Sequence, residues 1–406
     1  MRQMTDLKND SLSLHRRHQG KLEIRSKVAV KNEMDLSLAY SPGVAAPCRE
    51  IHADPSKVHE YTMKGNTVAV ITDGTAVLGL GNIGPQAALP VMEGKALLFK
   101  EFAGVDAFPI CLDTTDAEEI IRTVKLLEPG FGGVNLEDIA APTCFIVEQR
   151  LKEEMNIPVF HDDQHGTAIV TLAGLINSLK LVEKEIEDTK VVVNGAGAAG
   201  IAIVKLLAKF GFGHIVMCDT KGAIFKGRQN GMNPFKEEVA EMSNYEMEQG
   251  LLGDVIVGAD VFIGVSAEGA LTESMVRSMN DEPVIFAMAN PNPEILPRVA
   301  KSAGARVVGT GRSDFANQVN NVLAFPGLFR GALDVQASDI NDAMKIAAVE
   351  AIAALIATHE LHEEYVIPKP FDPRVALAVA EAVAKAAVET GVARVSLKEP
   401  AQQIVL

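Results

Sequence analysis

Residues 191–200 read Val191-Val192-Val193-Asn194-Gly195-Ala196-Gly197-Ala198-Ala199-Gly200. The apolar start predicts a buried strand, and the apolar residues after Gly200 predict a helix. Between them, the spacing G-x-G-x-x-G makes a tight turn that lets the backbone and the positive end of a helix dipole approach a pyrophosphate. Asp219 closes the next apolar strand, where a carboxylate would meet the adenosine ribose hydroxyls. The segment therefore predicts a dinucleotide-binding unit, and an ordinary glycine-rich turn is the alternative.

The cofactor-binding residues predicted from this segment are Gly195, Ala196, Gly197, Ala198, Ala199, Gly200 and Asp219. Asp219 favours NAD, because a carboxylate would repel the 2′-phosphate of NADP. Lys221, Lys226 and Arg228 follow closely and weaken that preference. We expect NAD, with NADP as the alternative.

A second G-x-G-x-x-G pattern runs from Gly79 to Gly84 but lacks this context. Pro85 follows at once and Pro90 soon after, so the pattern does not indicate a long phosphate-facing helix. No acidic residue ends an apolar strand at the expected distance. We interpret this pattern as a structural or substrate-side loop.

Short apolar runs alternate with helical patterns along most of the chain. The runs lie at 68–71, 107–112, 132–136, 157–160, 191–193, 214–218, 260–264, 284–288 and 306–309. This alternation predicts an α/β fold with parallel sheets covered by helices on both faces. Residues 166–181 read as a helix, and the Ala-rich text beyond residue 338 is also helical.

We expect three parts. Residues 1–160 form an N-terminal α/β substrate domain, and residues 161–335 form a Rossmann-type doubly wound dinucleotide-binding domain. Residues 336–406 form a helical C-terminal segment that packs back on the core. The N-terminal helical region and this segment are candidate interfaces of a homodimer.

Composition limits the classes of partner. With 48% hydrophobic and 22% charged residues, the chain can bury a sizeable core. A net charge of −15 argues against a nucleic-acid or anionic-membrane partner. The four cysteines lack the paired spacing of a redox motif or zinc ribbon and suit a reducing compartment. Without a signal-peptide pattern or an apolar run of about 18 residues, we expect a cytoplasmic protein.

Two pairs of acids follow predicted strands, Glu137-Asp138 and Asp162-Asp163. Ligands of open parallel sheets gather at the carboxyl ends of strands, where both pairs fall. Glu137 and Asp138 can face one ion only if the backbone turns there, because neighbouring strand side chains point to opposite faces. Carboxylates without cysteine suit Mg²⁺ or Mn²⁺ rather than zinc. The alternatives are a helix N-cap for the second pair and a solvated strand end for the first.

The chain resembles the short bacterial malic enzymes. The matching blocks span about residues 15 to 330 and are YSPGVA (40–45), TDG (72–74), GLGNIG (79–84), EGK (93–95), LED (136–138), HDDQHGT (161–167), the turn at 195–200, ANP (289–291), GRSD (311–314) and NQVNN (317–321). This resemblance implies a metal-dependent oxidation and decarboxylation of malate to pyruvate and CO₂ with reduction of NAD(P), and also the decarboxylation of oxaloacetate.

By position, the resemblance implies Glu137, Asp138 and Asp163 as ligands of Mg²⁺ or Mn²⁺. It implies Lys95 as the base that takes the hydroxyl proton and Tyr40 as the acid that protonates the enol. His161 and His165 flank the second acid pair without a zinc-protease pattern, and we interpret them as structural.

The resemblance further implies that Asn290 and Asn320 contact the substrate near the nicotinamide, that Asn290 also binds the cofactor, and that Lys95 contacts the substrate. One departure concerns substrate binding: larger members of the family carry an arginine where this chain has Ala76. Arg312 is a candidate to hold the distal carboxylate in its place. A malolactic enzyme, another hydroxy-acid or amino-acid dehydrogenase, and a non-catalytic nucleotide sensor are the alternative functions.

Overall fold

A computed structural model describes residues 4–396. It contains a four-stranded sheet in the order β2-β1-β3-β4 and a six-stranded sheet in the order β10-β9-β8-β5-β6-β7. The strands are β1 (Thr67–Thr72), β2 (Asp106–Cys111), β3 (Gly133–Leu136), β4 (Val159–His161), β5 (Lys190–Asn194), β6 (His214–Asp219), β7 (Gly222–Ala223), β8 (Val261–Gly264), β9 (Val284–Ala287) and β10 (Val307–Thr310). All pairings are parallel except the short β6–β7 pair. Each predicted apolar run is a strand, so the expected α/β fold is confirmed.

Helices connect the strands and cover both sheets. They are α1 (Met4–His18), α2 (Glu33–Ala39), α3 (Ala45–Ala53), α4 (Val58–Tyr61), α5 (Pro85–Ala103), α6 (Ala117–Leu127), α7 (Thr143–Glu154), α8 (Thr167–Leu181), α9 (Ala198–Phe210), α10 (Pro234–Met242), α11 (Leu252–Val255), α12 (Glu273–Arg277), α13 (Pro297–Ser302), α14 (Phe325–Asp334), α15 (Asp342–Ala354) and α16 (Arg374–Glu389). The helix predicted over residues 166–181 is present as α8.

The core is largely shared between the two sheets. One cluster of buried side chains runs from β1 to α16, and a smaller cluster covers the other face of the six-stranded sheet. Phe99 of α5 packs edge-on against Phe325 and Phe329 of α14, with ring centroids 4.8 and 5.3 Å apart. Because both faces of the parallel strands are covered, their sequences read as unbroken apolar runs.

Helices α15 and α16 pack against α8 and α14. The last ten residues of that segment, 397–406, lie outside the described residues. We propose a division near residues 160 and 335, because the four-stranded sheet ends with β4 at His161 and the six-stranded sheet lies within residues 190–310. Between residues 4 and 396, no helix is both long and apolar enough to cross a membrane.

The helix after the first glycine pattern is longer than its prolines suggested. Residues 92–102, whose sequence is helical in pattern, belong to helix α5, which begins at Pro85 and continues through Pro90 to Ala103, so the prolines do not exclude a long helix there. Proline is tolerated at the first helical position because its missing N–H would have no partner there. Further along, burial of Met92 and Phe99 offsets the hydrogen bond lost at Pro90. This helix carries Lys95 into the interior.

Candidate active site

Glu137, Asp138 and Asp163 converge at the carboxyl edge of the four-stranded sheet. One oxygen atom from each lies within 4.8 Å of the other two. Glu137 and Asp138 directly follow β3, and Asp163 follows β4, which pairs with β3. Parallel neighbouring strands thus bring acids about 25 residues apart to one place.

The backbone turn that Glu137 and Asp138 need in order to face one ion is present. Asp138 has a φ of +54°, in the left-handed region, which redirects its side chain toward that of Glu137. The Asp138 N–H donates to Asp163 Oδ2 over 2.7 Å, so the two strand ends are also joined directly. The solvated-strand-end alternative for Glu137 and Asp138 is wrong, because both are buried.

These carboxyls crowd together with little compensating charge. Burial raises the pKa of Glu137, Asp138 and Asp163 above the ordinary value, and their mutual repulsion adds to this effect at Asp138. Asp138 Oδ2 is buried and lacks a hydrogen-bond partner within the described residues. A set of oxygen donors, two of them buried and one with an unpartnered atom, fits a hard divalent cation such as Mg²⁺ or Mn²⁺.

Lys95 contacts this cluster from α5. Its Nζ lies 2.8 Å from Glu137 Oε1, 2.5 Å from Asp162 Oδ2 and 4.3 Å from the centroid of the Phe325 ring. Burial acts to lower the pKa of Lys95, but the charges of Asp162 and Glu137 outweigh it and hold that pKa above the ordinary value. Lys95 is therefore an ammonium group while these carboxylates are ionised.

Asp162 is a site residue to which the sequence assigned no role beyond its pair. It does not cap a helix, because residues 162–166 form a π-helical turn before α8. Instead its carboxylate accepts from Lys95 and from Asn321 Nδ2. The neighbouring Asn320, for which the resemblance implied a substrate contact, accepts from the Val322 N–H through its Oδ1 at 3.0 Å. In the sequence, the only indication that Asp162 belongs to the site was its position as a charged residue after an apolar strand.

The two histidines beside the acids are neutral, since burial lowers the pKa of each to about 4. His165 Nε2 lies 2.9 Å from Glu148 Oε2, and His161 is fully buried. Neither belongs to the group of candidate oxygen ligands among the described residues.

Tyr40 lies apart from this cluster in the single chain. It follows α2, and 70% of its surface is exposed. No hydrogen bond joins its hydroxyl to Lys95 in the part of the chain that the structure describes. The structure thus brings Lys95 and the three metal-ligand candidates together but leaves Tyr40 at the surface.

The turn at residues 195–200 is shaped for close backbone approach. Gly195 has a φ of +121°, and a Cβ there would lie 2.4 Å from the Val265 carbonyl oxygen. A Cβ on Gly200 would lie 1.8 Å from the Gly195 oxygen, so this position also excludes a side chain. Gly197 is exposed, with open space around it at the start of α9. That open N-terminus suits a pyrophosphate.

Asp219 is paired with two cations. Its oxygens accept from Arg228 Nη1 at 2.9 Å and from Lys236 Nζ at 2.6 Å. Burial alone would raise the pKa of Asp219, but the hydrogen bonds from Arg228 and Lys236 lower it to about 2. The sequence analysis identified Arg228 as a cation near Asp219 but did not identify Lys236. Lys236 lies on α10, further along the chain than the segment that was considered. Lys226 pairs with Glu241 instead.

The loop after β9 lies beside the first glycine pattern. A Cβ on Gly79 would lie 2.7 Å from the Asn290 carbonyl oxygen, so the two loops are in contact. Asp138 accepts from the Leu78 N–H on the other side of the same loop. This position agrees with a substrate-side loop. Arg312, the candidate for the distal carboxylate, is held by Asp314 at 2.8 Å.

Two family models match the chain: malic enzyme, N-terminal domain, over residues 19–120, and malic enzyme, NAD binding domain, over residues 164–388. A bifunctional malic/malolactic enzyme from Bacillus subtilis is 71% identical over 391 residues, which are 96% of this chain and 95% of the relative. An NAD-dependent malic enzyme from Geobacillus stearothermophilus is 58% identical and covers 92% of this chain, which spans 78% of that relative. The crystal structure of an NAD-dependent malic enzyme from Thermotoga maritima superposes with a TM-score of 0.89 at 52% identity, covering 92% of this chain and 98% of the other.

Proposed function

The chain belongs to the malic enzyme family, and from this premise we propose that it oxidises (S)-malate and decarboxylates the product to pyruvate and CO₂, with NAD(P) as the electron acceptor. The observation that carries the proposal is the contact of Lys95 with an acid cluster at one strand edge. The loop of Gly79 connects that cluster to the Asn290 loop of the dinucleotide-binding unit. Oxidation of a hydroxy acid followed by metal-assisted decarboxylation would use this combination of base, metal ligands and nearby nicotinamide site.

Glu137, Asp138 and Asp163 would hold the divalent cation. When bound, the cation would supply Lewis acidity that acidifies a coordinated hydroxyl and stabilises enolate charge, and the nicotinamide would accept the hydride. The unpartnered Asp138 Oδ2 supports this assignment, because a buried carboxylate oxygen normally has a partner.

Lys95 is the base that takes the hydroxyl proton. A cation shared among Glu137, Asp138 and Asp163 would reduce the negative charge facing Nζ, so the Lys95 pKa would fall toward the range in which an amine accepts a proton. The 2.5 Å contact with Asp162 keeps Nζ oriented while this happens. Once protonated, Lys95 regains the ion pair that the structure shows.

We propose Tyr40 as the acid that protonates carbon 3 of the enol because the resemblance implies this role, although its side chain lies at the surface of the single chain. Tyr40→Phe should therefore abolish pyruvate formation from malate while sparing the reduction of oxaloacetate to malate, because only the first reaction needs the phenol proton. Pyruvate is assayed directly, and the reduction of oxaloacetate is followed by the absorbance of the reduced nicotinamide. Tyr245→Phe, at an equally exposed position, is the matched control and should change neither rate. Equal loss of both activities in Tyr40→Phe would contradict this role.

NAD is the proposed cofactor, with NADP as the alternative. Asp219 keeps its negative charge beside the expected position of the ribose hydroxyls, which favours NAD. Arg228 and Lys236 lie against the same carboxylate and would be available to a 2′-phosphate. Assays with each cofactor separately distinguish the two.

A malolactic activity is the second candidate, since the relative that is 71% identical is a bifunctional malic/malolactic enzyme. The experiment incubates the protein with L-malate, Mn²⁺ and either NAD or NADP, and measures reduced cofactor, pyruvate and lactate. Reduced cofactor with equimolar pyruvate, abolished by a chelator, supports the proposed reaction. Lactate without net reduced cofactor supports the malolactic reaction. Formation of no pyruvate and no lactate would contradict both reactions.

We also propose that the protein is a homodimer. Helices α2 to α4 bury no residue, and Ile24 and Leu38 are 90% and 70% exposed. Such apolar exposure marks a contact surface, and the exposed Tyr40 lies within it. Sedimentation equilibrium should give about twice the chain mass of 43.3 kDa, and Leu38→Asp should give the single mass.

The matched control for this surface is Leu126→Asp, at a position that is 73% exposed on α6. It should leave the mass unchanged. A monomeric unmodified protein would contradict the proposal.

For location we propose the cytoplasm, which is reducing, because all four cysteines are free.

A further inference from the structure

Glu148 is a buried glutamate that the proposed reaction does not use. It lies on α7, and only 6% of its surface is exposed. The neighbouring buried side chains of this helix, such as Val147 and Leu151, are apolar. A carboxylate in such a position is costly unless hydrogen bonds satisfy it.

The hydrogen bonds of this carboxylate reach the last residue of β4 and the turn that follows it. Glu148 Oε1 accepts from the His161 backbone N–H at 3.2 Å. Oε2 accepts from Gln164 Nε2 at 3.2 Å and lies 2.9 Å from His165 Nε2. These donors surround Asp162 and Asp163, so one side chain holds the whole turn.

The turn depends on support from outside. Residues 162–166 form a π-helical turn, whose hydrogen bonds are less regular than those of an α-helix. No side chain caps its start at His161. A Cβ on Gly166 would lie 1.9 Å from Asp162 Oδ1, so the turn is also tightly packed. Small movements here would shift the carboxylates of Asp162 and Asp163.

We infer that Glu148 is a positioning residue for the metal site: by anchoring the turn, it holds the Asp163 carboxylate within reach of Glu137 and Asp138. Outer partners of metal ligands orient those ligands and tune the affinity of the site. Glu148 does not itself belong to the group of candidate ligands. This inference rests on the proposed metal dependence.

The test is a titration of the full-length protein with Mn²⁺ alone, in which the free ion is measured by electron paramagnetic resonance. Glu148→Gln keeps the size of the side chain and one acceptor oxygen, but its amide nitrogen cannot accept from Gln164 or His165. We expect the Mn²⁺ dissociation constant to rise by about 10- to 100-fold. Glu153→Gln, on the exposed side of the same helix, should leave it unchanged. NADH affinity, measured by fluorescence, should be unchanged in both variants.

The outcomes separate the inference from the proposed function. Absence of Mn²⁺ binding by the unmodified protein would overturn the metal site itself. Binding by Glu148→Gln with the unmodified dissociation constant would overturn the role of Glu148 alone. If circular dichroism shows that Glu148→Gln is unfolded, Gln164→Met is titrated instead, since it removes one donor. An unchanged constant in that variant overturns the inference.

Discussion

Lys95→Ala is expected to lower kcat for malate oxidation and for oxaloacetate decarboxylation by about a thousandfold each, because a positioned base or acid typically contributes about 10²- to 10⁴-fold. Both reactions are affected, since Nζ contacts Glu137 and Asp162 at the centre of the cluster. The measurements are reduced nicotinamide for the first reaction and loss of oxaloacetate for the second.

Loss of Lys95 also removes the cation beside two buried acids, so folding must be checked separately. Because burial already raises the pKa of Asp162 and Glu137, these carboxyls can become protonated in the variant rather than remain as unpaired charges. Thermal unfolding and NADH binding test this point. Lys100→Ala, on the exposed side of the same helix, is the matched control. Retention of more than about a tenth of the activity in Lys95→Ala would contradict the base role.

Asp163→Asn is expected to weaken Mn²⁺ binding by more than about 100-fold. Loss of even an outer partner of a metal ligand typically lowers metal affinity by about 10- to 100-fold, and Asp163 is a candidate ligand itself. The substitution is nearly isosteric, and the amide oxygen can still accept from the Asp138 N–H. The loss therefore reports the missing charge. Malate oxidation should fall in parallel and recover partly at high Mn²⁺.

Asp113→Asn, at an exposed position after β2, is the control for this substitution and should bind Mn²⁺ normally. Titration calorimetry gives the dissociation constants, and a chelator should abolish the activity of the unmodified protein. Equal affinity in Asp163→Asn and the unmodified protein would remove Asp163 from the ligand set.

Features that depend on near neighbours in the chain were predictable. The strand, glycine turn and helix of residues 191–207 follow from local apolar runs and from the need for space at Gly195 and Gly200. The strand-end position of Glu137 was equally visible, and the condition placed on Asp138, a turn in the backbone, is met by its positive φ. At α5 the low helix propensity of proline suggested an interruption. Burial of side chains such as Met92 and Phe99, which the sequence does not show, offsets that low propensity.

The resemblance supplied roles for Lys95 and Tyr40, but the sequence held no information on their surroundings. Lys95 contacts Asp162, which is 67 residues away in the chain, and Asp162 contacts Asn321, which is 159 residues away. The substrate contact implied for the neighbouring Asn320 stays a prediction. Tyr40 lies exposed at the surface of the single chain, which no local pattern indicates.

The sequence by itself determined the order of strands and helices, the nucleotide turn and the set of acids at strand ends, since each depends on residues close together in the chain. Only the tertiary structure decided which charges become partners: Lys95 with Asp162, Asp219 with Lys236, and Glu148 with the turn of Asp163. The physical reason is that charges interact strongly only at short range and away from water. Both conditions arise when distant segments pack together.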